Sequence, residues 1–117
     1  MTRIISTGPG SLARLADVLR EVGVNRALLV TTGRGAAAAG DLPVAGVFDG
    51  VRPHVPVATV DAASQSAADV GADGLVGLGG GAAIDTCKAV VAAWGRFPFG
   101  DRPPRVVAVP TTYAGAA

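Results

Sequence analysis

Residues 76–88 read Val-Gly-Leu-Gly-Gly-Gly-Ala-Ala-Ile-Asp-Thr-Cys-Lys and place three consecutive glycines between an apolar run and a segment with helical spacing. Glycine has no Cβ, so the backbone can turn tightly there and a ligand can approach it closely. The first N–H groups of a helix lack partners within the helix, and the positive end of the helix dipole lies behind them. Gly79, Gly80 and Gly81 therefore predict an anion site suited to a pyrophosphate.

The same glycines have a simpler interpretation, which is a tight strand-to-helix turn that binds nothing. Short glycine motifs produce many false matches. The motif also differs from the common dinucleotide fingerprint, which lies in the first strand–helix unit and has an acid at the end of the next strand. Here the glycines come late in the chain, and Asp101 precedes the next predicted strand.

Strands and helices are predicted to alternate along the whole chain. Apolar runs predict strands at 3–6, 27–30, 44–48, 75–78 and 105–109, and helical spacing predicts helices at 11–22, 59–70 and 82–94. Ser11 is the expected N-cap of the first helix, and Gly23, Gly71 and Gly95 are the expected ends of the three helices. This order predicts an α/β fold with a Rossmann-like, mainly parallel sheet flanked by helices. Ligands of such sheets bind at the carboxyl ends of the strands, which here means the loops 31–35, 79–82 and 111–115.

Composition excludes several classes of protein. The 117 residues suit one domain, 1–117, and half of them are apolar while 16% are charged, which excludes a disordered chain. The net charge is +1 and the basic residues are scattered, so no nucleic-acid partner is expected. No apolar run is long enough for a membrane span, and no signal peptide is evident. A single cysteine, Cys87, excludes an internal disulfide, and we expect a cytoplasmic protein.

Several motifs resemble the iron-containing alcohol dehydrogenase family. Gly79-Gly80-Gly81-Ala82-x-x-Asp85-x-x-Lys88 is similar to that family's Gly-Gly-Gly-Ser-x-x-Asp-x-x-Lys loop. Residues 109–115, Val-Pro-Thr-Thr-Tyr-Ala-Gly, resemble its second phosphate-side loop. Three segments resemble the maleylacetate reductase branch of the family in sequence: residues 110–115, Phe-Asp-Gly at 48–50 and His-Val-Pro at 54–56. The motifs occur in the family's order and span nearly the whole chain.

The resemblance implies an N-terminal domain that binds NAD(H) or NADP(H). Gly79, Gly80, Gly81 and Ala82 would then cradle the pyrophosphate. The other implied cofactor contacts lie after two further strands: Thr31, Thr32, Thr111, Thr112 and Tyr113. The alternative role of the last two threonines is to cap the end of a strand.

Four departures from the family pattern bear on this prediction. Ala82 stands where the family usually has a hydroxyl residue, which removes one phosphate donor. Thr31-Thr32-Gly33-Arg34 follows the second strand where many members have an acid, so NADPH could be tolerated. The stretch 33–42 is shorter than the family's usual helix, and Ala116-Ala117 replaces a usual Ser-Glu pair.

The resemblance also implies that the catalytic metal, Fe or Zn, is held by an Asp and three His of a C-terminal helical domain. One histidine, His54, cannot supply that site, so neither a catalytic residue nor a metal ligand is predicted in this chain. We expect the chain to lack that domain, to be inactive alone, and to pair with a separate helical metal-binding domain or a homodimer partner. The predicted function is the cofactor-binding domain of an NAD(P)-dependent oxidoreductase. The complete enzyme would transfer hydride between nicotinamide and a carbonyl or unsaturated keto acid. The alternatives are a non-catalytic nucleotide- or phosphate-binding module and a degenerate remnant.

Overall fold

The computed structural model describes residues 2–4 and 14–110, with side chains from Ile4 onward. Its strands are β1 (Thr2–Ile4), β2 (Ala27–Val30), β3 (Gly46–Phe48), β4 (Gly74–Gly79) and β5 (Arg105–Pro110). Its helices are α1 (Leu15–Glu21), α2 (Gly33–Ala39), α3 (Val57–Val70) and α4 (Gly81–Trp94). The predicted alternation of strands and helices is confirmed, and it includes a fourth helix, α2, where no helix was predicted.

The five strands form one parallel sheet in the order β1-β5-β4-β2-β3. From β2 the chain passes through α2 to the edge strand β3, whereas from β4 it passes through α4 to β5 on the opposite side. The two connections therefore diverge from neighbouring strands. A parallel sheet has its ligand-binding crevice at such a switch point, at the carboxyl ends of the strands. In this chain the switch point lies between the ends of β2 and β4.

Helices cover both faces of the sheet, as predicted. On one face, α1 packs its buried residues Leu15, Val18 and Leu19 against β2, β4 and β5. On the other face, α3 and α4 pack over the same strands through small residues such as Ala63, Ala67 and Ala83. Because these helix side chains are small, α3 and α4 lie close to the sheet, and the sheet residues between the two layers are buried. Four consecutive residues of β2 and five of β4 are buried, which is typical of a strand covered on both faces.

Local backbone preferences explain where the helices begin and end. Gly23 and Gly71 follow α1 and α3 with φ of 77° and 63°, a region that favours glycine. Helix α3 begins at Val57, two residues before the predicted start, because Pro56 (φ −60°, ψ 150°) supplies an extended N-cap residue. Strand β3 is two residues shorter than predicted, since the Val44 amide turns back to the Leu42 carbonyl. The predicted N-cap Ser11 lies outside the described residues.

The amino edge of the sheet is held by polar contacts far from the switch point. The Asp73 carboxylate accepts hydrogen bonds from the amides of Asn25 and Arg26, at 2.8–3.1 Å. The Arg26 guanidinium donates to the Val70 carbonyl at 2.7 Å, and Arg105 donates to the Val22 carbonyl. These bonds join the segments that enter β2, β4 and β5, so that the three strands start in register.

Candidate cofactor-binding site

The three glycines of the loop after β4 occupy three different backbone positions. Gly79 is the last residue of β4 and has φ of 129°, a conformation that side-chain-bearing residues rarely adopt. Gly80 is the N-cap of α4 with an extended backbone, and Gly81 is the first residue of the helix. A Cβ added to Gly80 or Gly81 would meet no atom within 4 Å. Only Gly79 is thus required by the conformation of the loop, and the other two leave open space above the end of the sheet.

The first amides of α4 lie beside that open space. The Ala83 and Ile84 amides donate to the Gly80 carbonyl, at 3.2 and 3.5 Å. Within the described part of the chain no group accepts from the amides of Gly81 and Ala82. Helix α4 has 14 residues, so its dipole is well developed, and no acidic residue lies in its first turn. A pyrophosphate fits this arrangement, because it could occupy the space beside the glycines and accept from the amides. The positive end of the α4 dipole would stabilise its charge.

Thr31 and Thr32, both predicted cofactor contacts, occupy very different positions. Thr31 is completely buried, and its hydroxyl donates to the Leu78 carbonyl at 2.8 Å. It therefore exposes no atom to a ligand, and any effect on a cofactor must be indirect. Thr32 is exposed and is the N-cap of α2, where its hydroxyl accepts from the Gly35 amide at 3.0 Å. Arg34 lies exposed in the first turn of α2.

Of the other predicted site residues, Ala82 is in the described part of the chain. Ala82 is half-buried in the first turn of α4. Pro110, the last residue of β5, is paired with Gly79 in the sheet, so β5 ends beside the glycine loop. Thr111, Thr112 and Tyr113 lie outside the described residues.

A groove of about 1320 Å³ runs between α3 and α4, from Gly81 and Ala82 at one end to Trp94 and Phe97 at the other. Its lining comes from the two helices and the segments beside them, and includes no residue of the described strands. Phe97 (73% exposed) and Val57 (77% exposed) lie along it. The groove meets the switch-point crevice only at the start of α4, and we take the crevice, where the free amides lie, as the candidate site.

Two features of the site region were not predicted from the sequence. A side chain at Gly35, in α2, would collide with Thr31, and a side chain at Gly77, inside β4, would be crowded by Cys87 and Ile84. A glycine within a strand often marks the close approach of another element, and this signal could have identified Gly77. Gly35 lies in an Ala-rich stretch and carries no comparable signal. Cys87 is fully buried, and burial raises the pKa of its thiol from 9.0 to about 12.

The residues present do not fit the metal that the family resemblance implies. Among the described residues, no three His, Cys, Asp or Glu side chains form a group that could hold a metal ion. His54 is exposed in the loop before α3.

No helix in the described part of the chain is long and apolar enough to cross a membrane.

Comparison with known proteins agrees with this geometry. The family model for iron-containing alcohol dehydrogenases matches residues 2–117. Maleylacetate reductases from Pseudomonas knackmussii and Sphingobium indicum are 39% and 41% identical over 115 residues, covering 93% of this chain and 30% of the length of each relative. The chain therefore spans about a third of the length of the curated relatives it matches.

Solved structures show the same fold. The crystal structure of maleylacetate reductase from Agrobacterium tumefaciens superposes with a TM-score of 0.74 at 33% identity, covering 98% of this chain and 32% of that one. A sulfoacetaldehyde reductase from Bifidobacterium kashiwanohense, solved in complex with NAD+, has the fold at 20% identity with a TM-score of 0.73, covering 93% of this chain and 34% of that one. Together with the family match over nearly all residues, these findings show that the chain belongs to the iron-containing alcohol dehydrogenase family.

Proposed function

We propose that this chain binds the pyrophosphate of NAD(H) or NADP(H) at the Gly79–Gly81 loop and forms the cofactor half of an oxidoreductase similar to maleylacetate reductase. In the complete enzyme, hydride would pass between the nicotinamide and a carbonyl or unsaturated keto acid. The catalytic metal would be held by a helical domain outside residues 1–117.

The observation that carries the proposal is the open space at Gly80 and Gly81. Packing within the described structure does not require glycine at either position, since a Cβ at each would meet nothing within 4 Å. Both have backbone angles that other residues also adopt. Glycine at these two positions is explained if a ligand occupies the space that a side chain would fill.

Different residues of the chain would bind different parts of the cofactor. The free amides of Gly81 and Ala82 would donate to pyrophosphate oxygens, and the dipole of α4 would stabilise their negative charge. Ala82 donates through its backbone only, because it has no hydroxyl. Thr111, Thr112 and Tyr113, which follow β5 directly, are proposed to contact the cofactor from the neighbouring strand, with Tyr113 on the nicotinamide side.

The end of β2 is proposed to accept the adenosine ribose. Thr32 is exposed there and Arg34 lies exposed in the next turn, with no carboxylate among residues 31–35. A 2′-phosphate would meet no negative charge from this loop and one positive charge from Arg34. We therefore propose that NADPH is accepted as well as NADH.

Calorimetric titration with NADH and with NADPH tests the proposal, using the folded chain and its Gly80→Asp variant. Aspartate is a favourable N-cap residue, and a Cβ at Gly80 meets open space, so the variant should fold. Its carboxylate would lie beside the pyrophosphate, and we expect affinity to fall by about tenfold or more. Gly95→Asp is the matched control, because it adds the same charge at the other end of α4. If the folded wild-type chain binds neither cofactor, or if Gly80→Asp binds as tightly as wild type, the proposal is wrong.

A further inference from the structure

We propose that Thr31 is a positioning residue, whose buried hydroxyl joins the carboxyl ends of β2 and β4 and so holds the Gly79–Gly81 loop in its binding conformation. The inference rests on the cofactor site proposed above and assigns to Thr31 a role other than direct contact. It concerns the one buried polar side chain in the described structure that bridges the switch point.

The hydrogen bonds of Thr31 connect three strand ends. Its hydroxyl donates to the Leu78 carbonyl at 2.8 Å, and its amide donates to the Phe48 carbonyl at 2.9 Å. Its carbonyl accepts from the Val51 amide at 3.1 Å. The first of these bonds crosses from β2 to β4 where their connections diverge, beyond the last paired residues of the two strands, Val30 and Gly77. It therefore extends the contact between β2 and β4 by one residue, up to the start of the glycine loop.

The position of Leu78 makes that bond relevant to the loop. Leu78 precedes Gly79, whose φ of 129° starts the turn toward α4. Fixing the Leu78 carbonyl fixes the plane of the peptide that joins Leu78 to Gly79, since a peptide group is planar. The direction in which the chain leaves β4, and with it the direction of the Gly81 and Ala82 amides, then depends on the Thr31 hydroxyl.

Gly35 provides independent evidence for the position of this hydroxyl, because a side chain at residue 35 would occupy the same space. A Cβ at Gly35 would lie 1.9 Å from the Thr31 hydroxyl oxygen and 3.2 Å from the Thr31 Cβ. Any larger residue at 35 would displace the hydroxyl or the first turn of α2. The Gly35 amide is meanwhile held by the Thr32 hydroxyl. Helix α2 thus packs directly over the Thr31 hydroxyl, and only glycine allows this.

Three variants separate positioning from general stability. Thr31→Val keeps the size of the side chain and removes the hydroxyl, Thr31→Ser keeps the hydroxyl, and Gly35→Ala displaces it sterically. Val24→Ala is the control, because Val24 is buried at the amino edge of the sheet, where it lies against Gly74. The Val24→Ala substitution should lower the free energy of unfolding and leave the switch point unchanged.

Two readouts are needed, one of them without cofactor. The first is hydrogen exchange, measured by NMR in the ligand-free chain, of the Ala83 and Ile84 amides, which donate to the Gly80 carbonyl of the loop. The second is the NADH dissociation constant. We expect Thr31→Val and Gly35→Ala to speed exchange of the Ala83 and Ile84 amides and to raise the dissociation constant by about tenfold, the effect of one lost hydrogen bond. Thr31→Ser should stay within about twofold of wild type, and Val24→Ala should change neither quantity despite its lower melting temperature.

The outcomes distinguish this inference from the proposed function. Wild-type exchange of the Ala83 and Ile84 amides in Thr31→Val overturns the inference, as does a Thr31→Ser variant that behaves like Thr31→Val. If Thr31→Val does not fold, Gly35→Ala and Thr31→Ser decide by the same two readouts. If wild type fails to bind NADH, the proposed function is wrong, while the exchange rates still show whether the hydroxyl holds the loop.

Discussion

A Cβ on Gly77 would lie 3.1 Å from the sulfur of Cys87, so β4 and α4 approach each other through a glycine. The same Cβ would lie 3.3 Å from the backbone Cα of Ile84. The sulfur belongs to a side chain that can be shortened, whereas the Ile84 backbone can yield only if α4 moves. Because Gly77 lies two residues before Gly79, the packing of the helix and the position of the binding loop are linked.

The Gly77→Ala substitution should therefore disturb both stability and binding. We expect the free energy of unfolding to fall by about 1–3 kcal/mol, the usual cost of overpacking, and NADH affinity to fall with it. Chemical denaturation and NADH titration measure the two effects. Adding Cys87→Ala should recover part of the stability, because it removes the nearer of the two contacts. Strict additivity of the two substitutions would contradict this packing argument.

Substitutions within the glycine loop should separate folding from binding. Gly79→Ala places a side chain at φ of 129° and should destabilise the chain by about 1–3 kcal/mol. Gly81→Ala adds a methyl group in open space in the first turn of a helix, so stability should be unchanged or rise by about 0.4–1 kcal/mol. The methyl group would occupy part of the space proposed for the pyrophosphate, and NADH affinity should fall.

Thermal unfolding and NADH titration of the two variants test this contrast. A Gly81→Ala chain that is stable and binds cofactor poorly supports a ligand-based reason for the glycine. A Gly81→Ala chain that binds NADH as wild type does would show that the open space is not used.

Local patterns in the sequence predict most of the fold but only part of the site. The apolar run at 27–30 and the glycine loop after 75–78 are local features, and both lie where they were predicted. The role of Thr31 is different, because its hydroxyl partner Leu78 is 47 residues away. The residue type indicates a polar group at a strand end. Whether that group faces a ligand or the interior depends on β4 lying next to β2, and a local pattern does not contain the strand order.

The buried thiol of Cys87 should titrate far above its usual range. Burial raises its pKa from 9.0 to about 12, so the folded chain keeps the proton while the unfolded chain loses it above pH 9. The stabilisation from this group is complete below pH 9 and is lost as the pH rises from 9 toward 12. Relative to Cys87→Ala, which has no thiol, wild type should lose about 1 kcal/mol between pH 8 and pH 10.

Denaturant unfolding of both proteins at the two pH values provides the measurement. Parallel losses in wild type and Cys87→Ala would mean that the thiol is not protected. A thiol reagent at pH 8 should likewise react slowly with the folded chain and quickly after unfolding, since the thiolate is the reactive form.

Asp73 should matter for stability and not for binding. Its carboxylate accepts from the Asn25 and Arg26 amides at the amino edge of the sheet, away from the switch point. Asp73→Ala leaves those amides without this acceptor and should lower the free energy of unfolding by about 1–3 kcal/mol. Asp69→Ala is the control, because Asp69 makes an exposed contact with Gln65 within α3 and should have little effect. Both variants should bind NADH as wild type does. The fraction of Asp73→Ala chains that are unfolded can account for a matching loss of NADH binding. A larger loss of NADH affinity would contradict the argument that Asp73 acts on stability alone.

If the chain accepts both cofactors, as proposed, Thr32→Asp should make it prefer NADH. Thr32 caps α2 by accepting from the Gly35 amide at 3.0 Å, and aspartate caps helices equally well, so α2 should persist. The new carboxylate would face a 2′-phosphate with a like charge but could accept hydrogen bonds from the free ribose hydroxyls of NADH. We expect NADPH affinity to fall by about tenfold or more and NADH affinity to stay level or rise. Thr32→Asn, which caps without a charge, should leave the ratio of the two dissociation constants near that of wild type. An equal loss of both cofactors in Thr32→Asp would mean that the end of β2 does not meet the ribose, and the proposed orientation of the cofactor across the switch point would have to be abandoned.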